Sequence, residues 1–468
     1  SIETAVAGAG HLRDGRHGAL GLRPAGERRA PVSADVLAAT APLADAAAPL
    51  PGVTIHADRI RRNRRPALLG GPRRNRSGTH SADAARSPSE LVTSLLAAFA
   101  AVATLLWLSI FGYLALLAAI ATRRRAGSQA PVDLPAIALI LPTFNEAARI
   151  DAKLADLARI DYPRDRLRII VVDGRSSDGT LERVEAARQG GAPIEVLRAS
   201  QAVSKLEQLR CGLEAVREEV VVATDADAEL DPACVRLLVE VLVRDPHTAV
   251  AGARVRPATR LAEERIYWWF LNTLWWLEGE ALSAAAVSGV CYAMRRRVVL
   301  EAPRAPGADD ILFALAAGAT GHGVRLCRPA WARETRVPQT VADFVRFRRR
   351  RGAGYFGALL APLPASGLTG WRIARGVRLF HFRVTPATTA IVVVSGVALL
   401  WTPYWPWPLA AGAAFALPVF AALFASRSLA DVCARRWQLA VRALSLVGLV
   451  WWSLLLSRAA LSDAEEPS

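Results

Sequence analysis

Two short apolar runs, each closed by acid, constrain this chain more than any other feature. Arg168-Ile-Ile-Val-Val172 ends on Asp173, and about fifty residues later Val220-Val-Val-Ala-Thr224 ends on Asp225-Ala-Asp227. Runs this short and this apolar read as buried strands. A carboxylate at the end of a buried strand is costly unless it binds something. In open α/β sheets, ligands lie off the carboxyl ends of the strands, where these acids fall.

The surrounding pattern fits such a sheet. From Pro131 to about Pro364, strand-like and helix-like stretches alternate. Ala136–Leu141 is a strand, followed by Pro142-Thr-Phe-Asn-Glu146 and an amphipathic helix through Ile160. The strand Leu167–Val172 precedes a Ser/Asp/Gly turn and a helix over Gly179–Gln189. Ile194–Leu197 is a third strand, Lys205–Arg217 a helix and Val220–Thr224 a fourth strand. Alternation at this spacing predicts an α/β domain with a mostly parallel, Rossmann-like sheet covered on both faces.

Long apolar segments flank this domain. Leu91–Thr122 is nearly free of charge and closes on Arg123-Arg-Arg125, enough for one membrane-spanning helix. The arginines after it put its C-terminal end in the cytoplasm, which leaves residues 1–90 outside. Those ninety residues are rich in Arg, Ala, Pro and Gly and read as disordered or low-complexity. Residues 385–458 hold three more apolar runs, Thr388–Trp401, Leu409–Phe424 and Leu439–Leu456. Residues 365–384 interleave Arg372, Arg375, Arg378 and Arg383 with apolar positions, as an interfacial amphipathic helix would. An amphipathic surface helix of the soluble domain would show the same pattern. The expectation is a multi-pass cell-membrane protein with about four transmembrane helices and a cytoplasmic domain over residues 131–364.

The formal net charge of +16 would suit nucleic acid or an anionic membrane face. Arginine supplies nearly all of it, with Lys153 and Lys205 the only lysines, so genome composition accounts for much of the excess. No nucleic-acid motif accompanies the charge, and a nucleic-acid partner is not expected. Five scattered cysteines without CxxC spacing fit neither a zinc site nor a disulfide framework.

Several polar residues are candidates for chemistry. Asp225 and Asp227, two apart on extended chain, point the same way and repel unless a divalent cation lies between them and a phosphate; oxygen ligands favour Mg2+ or Mn2+. Asp173 can accept hydrogen bonds from a base or ribose, whereas Asp178 also reads as a helix cap. Lys205 can approach a phosphate or be a surface lysine, and Lys153 reads as solvated. Of Asp309-Asp310, one can cap the helix that follows and the other can serve as general base. Arg346 and Arg348 to Arg351 can neutralise a departing diphosphate or mark a membrane-proximal cytoplasmic segment. Trp268, Trp269, Trp275 and Trp276 suit an acceptor platform or lipid contact equally.

Taken in order, Pro142-Thr-Phe-Asn-Glu146, Asp173 with Ser176-Ser-Asp-Gly-Thr180, Asp225-Ala-Asp227, Asp309-Asp310 and the arginine cluster resemble the family 2 glycosyltransferases. The resemblance is to the membrane-embedded cellulose-, chitin- and hyaluronan-synthase-like branch, over residues 136–364. It implies a GT-A fold, a nucleotide-diphosphate sugar donor (a UDP-sugar foremost), Mg2+ or Mn2+, and inversion at the anomeric carbon. It further implies nucleotide-sugar contacts from Asn145, Glu146, Asp173, Lys205, Asp225, Arg348 and Arg351, a metal on Asp227, and Asp310 as catalytic base. The acceptor would be a glycan or lipid-linked hydroxyl at the membrane. The chain departs from the family pattern at Gly174, Arg210 and Gly352, where the family often has an acid, an Asn and a Trp; the missing Trp favours transfer of one or a few sugars, or an unusual acceptor, over polymer synthesis. A polyprenyl-phosphate sugar transferase and an inactive nucleotide-sensing scaffold are the alternative functions.

Overall fold

The protein is described by a computed structural model covering residues 87–123, 132–199, 204–304, 307–363 and 367–425, together with 438 and 441–442. Most of the N-terminal tract and of the apolar run Leu439–Leu456 lies outside these residues. The elements in chain order begin with α1 (Pro88–Trp107), a π-helical turn at Leu108–Gly112 and α2 (Tyr113–Ala121). The central domain runs β1 (Ile137–Thr143), α3 (Ile150–Leu157), β2 (Leu167–Asp173), α4 (Thr180–Gln189), β3 (Ile194–Arg198), α5 (Lys205–Ala215), β4 (Val220–Thr224), β5 (Ala228–Leu230) and α6 (Cys234–Arg244). It continues through β6 (Thr248–Pro257), α7 (Ala262–Ala281), β7 (Cys291–Arg295), α8 (Arg296–Leu300), α9 (Asp309–Ala319), β8 (Gly323–Glu334) and α10 (Val341–Leu360). Then come α11 (Thr369–Arg383), α12 (Thr385–Leu399) and α13 (Pro406–Ala425).

The eight strands form one sheet in the order β3-β2-β1-β4-β7-β6-β8-β5. β3, β2, β1 and β4 are mutually parallel, as the sequence pattern predicts. Every residue of β1 and β4 is buried, the signature of strands covered on both faces. β7 is antiparallel to both β4 and β6, and β6 and β8 are parallel. The strand ends that carry Thr143, Asp173 and Thr224 therefore lie on one edge, and the loops that follow them leave the sheet side by side.

Two close approaches fix the far side of that edge. A Cβ on Gly307 would lie 2.8 Å from Ala358 of α10, so the turn into α9 can press against that helix only with glycine there. Ala308 N–H donates to the Gly354 carbonyl at 3.2 Å, which pins the first turn of α9 to α10.

Helix α1 starts one turn earlier than the apolar run. Ser87 and Glu90 form a reciprocal capping box, which draws residues 87–90 out of the supposed disordered tract. The combined helix Pro88–Ala121, 34 residues, is the one described helix long and apolar enough to cross a membrane. α11 and α12 meet at a 49° bend and would together make a second, broken span, and Pro406–Ala421 is shorter and apolar. The expected count of four spans is thus not reached among the described residues. α11 is also less interfacial than its pattern suggests: Arg378 ion-pairs at 2.7 Å with buried Glu278 of α7, and Tyr113 of α2 donates to the same carboxylate at 3.0 Å. An arginine expected in water or headgroups instead pairs with Glu278, which ties α2 and α11 to α7.

Candidate active site

The loops after β1 and β2 are zipped to one another. Asn145 N–H donates to Ser176 Oγ at 3.0 Å, and Asn145 Oδ1 accepts from Ser177 N–H at 2.9 Å. Glu146 N–H donates to Thr180 Oγ1 at 2.8 Å, and Ala147 N–H to Asp178 Oδ2 at 3.0 Å. Asn145 and Arg175 hold positive φ, 55° and 72°, a strained choice for side-chain-bearing residues that clusters at functional loops. Asp178 also accepts from Thr180 N–H, so it is both a cap and a strut.

Asp173 departs from its expected role. It is fully buried, its carboxylate accepts N–H groups of Arg175 and Ser176 at 3.1 and 3.2 Å, and Arg198 Nε stands 3.7 Å away. Its visible work is to fold the loop that follows β2. The departure at Gly174 has a packing reason, because the buried Gln208 amide fills the space a side chain would need. Arg210 likewise holds the carbonyls of Ala302 and Pro303 at 3.0 and 2.8 Å and closes the domain behind α5.

A second set of charges gathers beyond β4. Lys205 Nζ lies 2.6 Å from Asp225 Oδ1 and 3.1 Å from Asp309 Oδ1. Tyr292 on β7 donates its hydroxyl to Asp309 Oδ2 at 2.6 Å. Asp309 is therefore held at both oxygens, while Asp310 accepts Ile311 N–H on Oδ1 at 2.9 Å. A Cβ on Gly289 would lie 3.1 Å from Lys205 Nζ, 3.2 Å from Asp310 Oδ2 and 3.6 Å from Asp225 Oδ2. An ammonium and two carboxylates thus converge over a bare glycine floor. Burial, with Asp309 alongside, pushes the Asp310 carboxyl up to about 7 against the opposing pull of Lys205. Burial also raises Asp225. Burial alone would lower Lys205, but Asp225, Asp309 and Asp310 together hold it charged. The sequence left open which acid of the Asp309-Asp310 pair is available; Asp309 is held at both oxygens, whereas Asp310 is held among the described residues at Oδ1 alone.

The arginine cluster divides. Arg351 Nη2 reaches Glu334 Oε1 at 2.6 Å, and its charge is favoured by Glu334, Asp225 and Asp310 despite burial, so it stands in the field of the acids. Burial pushes Glu334 up to about 7, with Arg351 opposing. Arg348 is a correction: it turns inward onto buried Glu264, with its guanidinium 3.7 Å from the Tyr267 ring centroid. One helical turn separates a site arginine from a structural one. Lys153 is corrected too, being buried with its Nζ on Asp156, Thr224 Oγ1 and the Ala228 carbonyl at 3.2, 3.2 and 2.6 Å. Trp268 and Trp275 are core residues, and Trp268 Nε1 donates to Glu264 at 2.9 Å.

Asp227 has a neighbour that the motifs did not name. Thr335 donates both its N–H and its hydroxyl to the Asp227 carbonyl at 2.9 and 2.7 Å. Arg336 then places Nε 3.4 Å from Asp227 Oδ2 and Nη2 on the Glu146 carboxylate. Arg336, Glu334, Tyr292 and Gly289 were all missed in the sequence. Glu334 closes β8 and Arg336 follows it in the loop.

Among the described residues no three His, Cys, Asp or Glu side chains converge into a metal cage. Asp227 stands near enough to Asp225 to repel its charge, so the pair offers carboxylate oxygens without a third acid. That donor set suits Mg2+ or Mn2+, which keep few protein ligands and complete their shell with water and substrate phosphates.

This sheet, with loops and acids at its carboxyl edge, has a GT-A type of fold. The chain belongs to the glycosyl transferase family group 2, whose profile matches residues 220–456, half of its length. The profile of glycosyl transferase family 2 matches residues 138–299. The probable glycosyltransferase YdaM of Bacillus subtilis (strain 168) is 25% identical over 178 residues, 36% of this chain and 42% of that protein. The beta-monoglucosyldiacylglycerol synthase of Synechocystis is 28% identical over 145 residues, 31% of this chain and 29% of that protein. The chain thus spans less than half the length of either relative. The mannosyltransferase PcManGT from Pyrobaculum calidifontis, solved with GDP-Man and Mn2+, is similar in fold, with a TM-score of 0.58 at 21% identity over 81% of this chain and 99% of that one.

Proposed function

We propose that this glycosyltransferase is membrane-bound and moves a sugar from a nucleotide-diphosphate sugar to a hydroxyl of a glycan or lipid-linked acceptor, with inversion. The observation that carries the reading is the convergence of Lys205, Asp225 and Asp310 over Gly289, with Asp309 held at both oxygens and Asp310 at Oδ1 alone among the described residues. Asp310 takes the proton of the acceptor hydroxyl as the new oxygen–carbon bond forms. The bond from the anomeric carbon to phosphate breaks, and its electron pair leaves with the nucleoside diphosphate. Arg351 and Lys205 stabilise the negative charge of that leaving group. Asn145, Glu146 and the loop folded by Asp173 form the nucleoside end of the cleft. Asp227, with Asp225 beside it, would hold Mg2+ or Mn2+, which would bind the diphosphate and offset its charge. The 34-residue helix Pro88–Ala121 and the bent pair α11–α12 support a membrane location, with the catalytic domain on the cytoplasmic side.

The test is a donor screen on purified full chain in detergent, with UDP- and GDP-sugars, measuring nucleotide release with and without Mn2+. Metal-dependent release that Asp227→Ala abolishes supports the reading; release indifferent to both removes it. Asp310→Asn then separates acceptors, since transfer to a phosphate needs no base and would survive the change.

A further inference from the structure

Among the described residues Arg336 is the cation paired with Asp227, and no motif announced it. Its guanidinium lies on Asp227 Oδ2 at 3.4 Å, an oxygen that a divalent ion would use, and on the neighbouring carboxylate of Glu146. Those two acids are nearly buried, with side chains 12% exposed, while the Arg336 side chain is 44% exposed. A buried carboxylate needs a cation or several donors; a half-exposed arginine on a surface loop is free to turn. The backbone beside it is fixed, because Thr335 bonds the Asp227 carbonyl twice. Any turn is therefore a side-chain motion about an anchored point.

We propose that Arg336 and the divalent cation compete for Asp227, and that Arg336 transfers to the diphosphate when the metal takes its place. This rests on the metal–diphosphate reading given above. The exchange leaves no acid bare: Asp227 receives the metal, and Glu146 keeps Arg149 Nη1 at 3.4 Å. The guanidinium fork gains phosphate oxygens, which it matches better than one edge of a carboxylate. A bare metal ion must displace a cation and gains nothing in return. A metal arriving with a diphosphate supplies the arginine's next partner. The device thus makes metal binding depend on the nucleotide.

The experiment uses the full chain in detergent as wild type, Arg336→Gln, Arg336→Lys and Asp227→Ala. Binding of Mn2+ alone is read from its free-ion EPR signal, and binding of UDP and of GDP with Mn2+ from calorimetry. Arg336→Gln should bind Mn2+ alone roughly five- to tenfold tighter and the nucleoside diphosphate about tenfold weaker, the scale of one charge-assisted contact. Arg336→Lys keeps the charge and loses the fork; it should leave Mn2+ affinity low and weaken the diphosphate by less. Opposite shifts in one variant are the signature, since a damaged fold would weaken both. Arg336→Gln with unchanged or weaker Mn2+ binding overturns the competition, provided Asp227→Ala abolishes metal binding in the same assay. If Asp227→Ala changes neither measurement, the metal–diphosphate reading itself fails and this proposal falls with it.

Discussion

The two sides of the sheet present charge in opposite ways. Strands β1, β2 and β4 are parallel and each releases a polar loop at the same edge, so Asn145, Asp173 and Asp225 reach the site region by leaving a strand. The side built from β7, β8, α9 and α10 delivers charges from helices and a strand end. There most charged groups meet a partner before they meet a ligand: Arg348 with Glu264, Arg351 with Glu334, Asp309 with Lys205 and Tyr292. Strand ends and the acids that close them can be read from local pattern, although Asp173 turns its carboxylate onto its own loop. A run of arginines cannot, because each residue of a helix faces about 100° from the last and finds different neighbours.

Asp310 and Asp309 provide the sharpest way to break that comparison. Asp310→Asn should reduce transfer to a hydroxyl acceptor about 10²- to 10⁴-fold while leaving nucleotide binding intact; an equal loss from both functions would deny Asp310 its separate role. Initial rates and calorimetry on one preparation decide.

Arg348 and Arg351 come next. Arg348→Ala strands Glu264 in the core and should cost about 3–5 kcal/mol of stability, read as a lowered thermal midpoint. Arg351→Ala should leave the midpoint nearer to wild type, because burial already drives Glu334 toward its neutral form, and should instead lower turnover. If the two variants traded these outcomes, the division of the cluster would be reversed.

The pH profile is a milder probe. A base whose carboxyl is pushed up to about 7 is still protonated, and idle, at pH values where ordinary carboxylates are ionised. The kcat/KM for a hydroxyl acceptor should therefore rise about tenfold per pH unit below 7 and level off above it. A profile flat from pH 5 to 8 would contradict the assignment.

Tyr292→Phe carries the smallest expected effect. It removes one donor from Asp309 and leaves Lys205 in place, so about 1–2 kcal/mol should be lost. A thermal midpoint indistinguishable from wild type would show that Lys205 alone holds Asp309.

Much of the parallel half was legible because its signals are local. Val220–Thr224 was placed to the residue, and Leu167–Val172 and Ile194–Leu197 each stopped one residue short of the observed strand, since an apolar run bounded by turn residues has few alternatives. Lys153 was misjudged because an amphipathic helix beside two aspartates looks solvated; its burial depends on Thr224 and Ala228, far along the chain. Trp268 and Trp275 were open for a similar reason, as an aromatic stripe does not say which surface will cover it.

The sequence by itself determined the strand runs, the acids at their ends and the long apolar helix, all set by contacts within a few residues. Only the tertiary structure decided which of two adjacent acids is available, which of two arginines faces the cleft, and that Arg336 lies over Asp227. Those outcomes depend on pairs such as Asp227 and Arg336, held by β5 pairing with β8 across more than a hundred residues. Coulomb attraction and burial act on distance in space, and a linear pattern carries no measure of that distance.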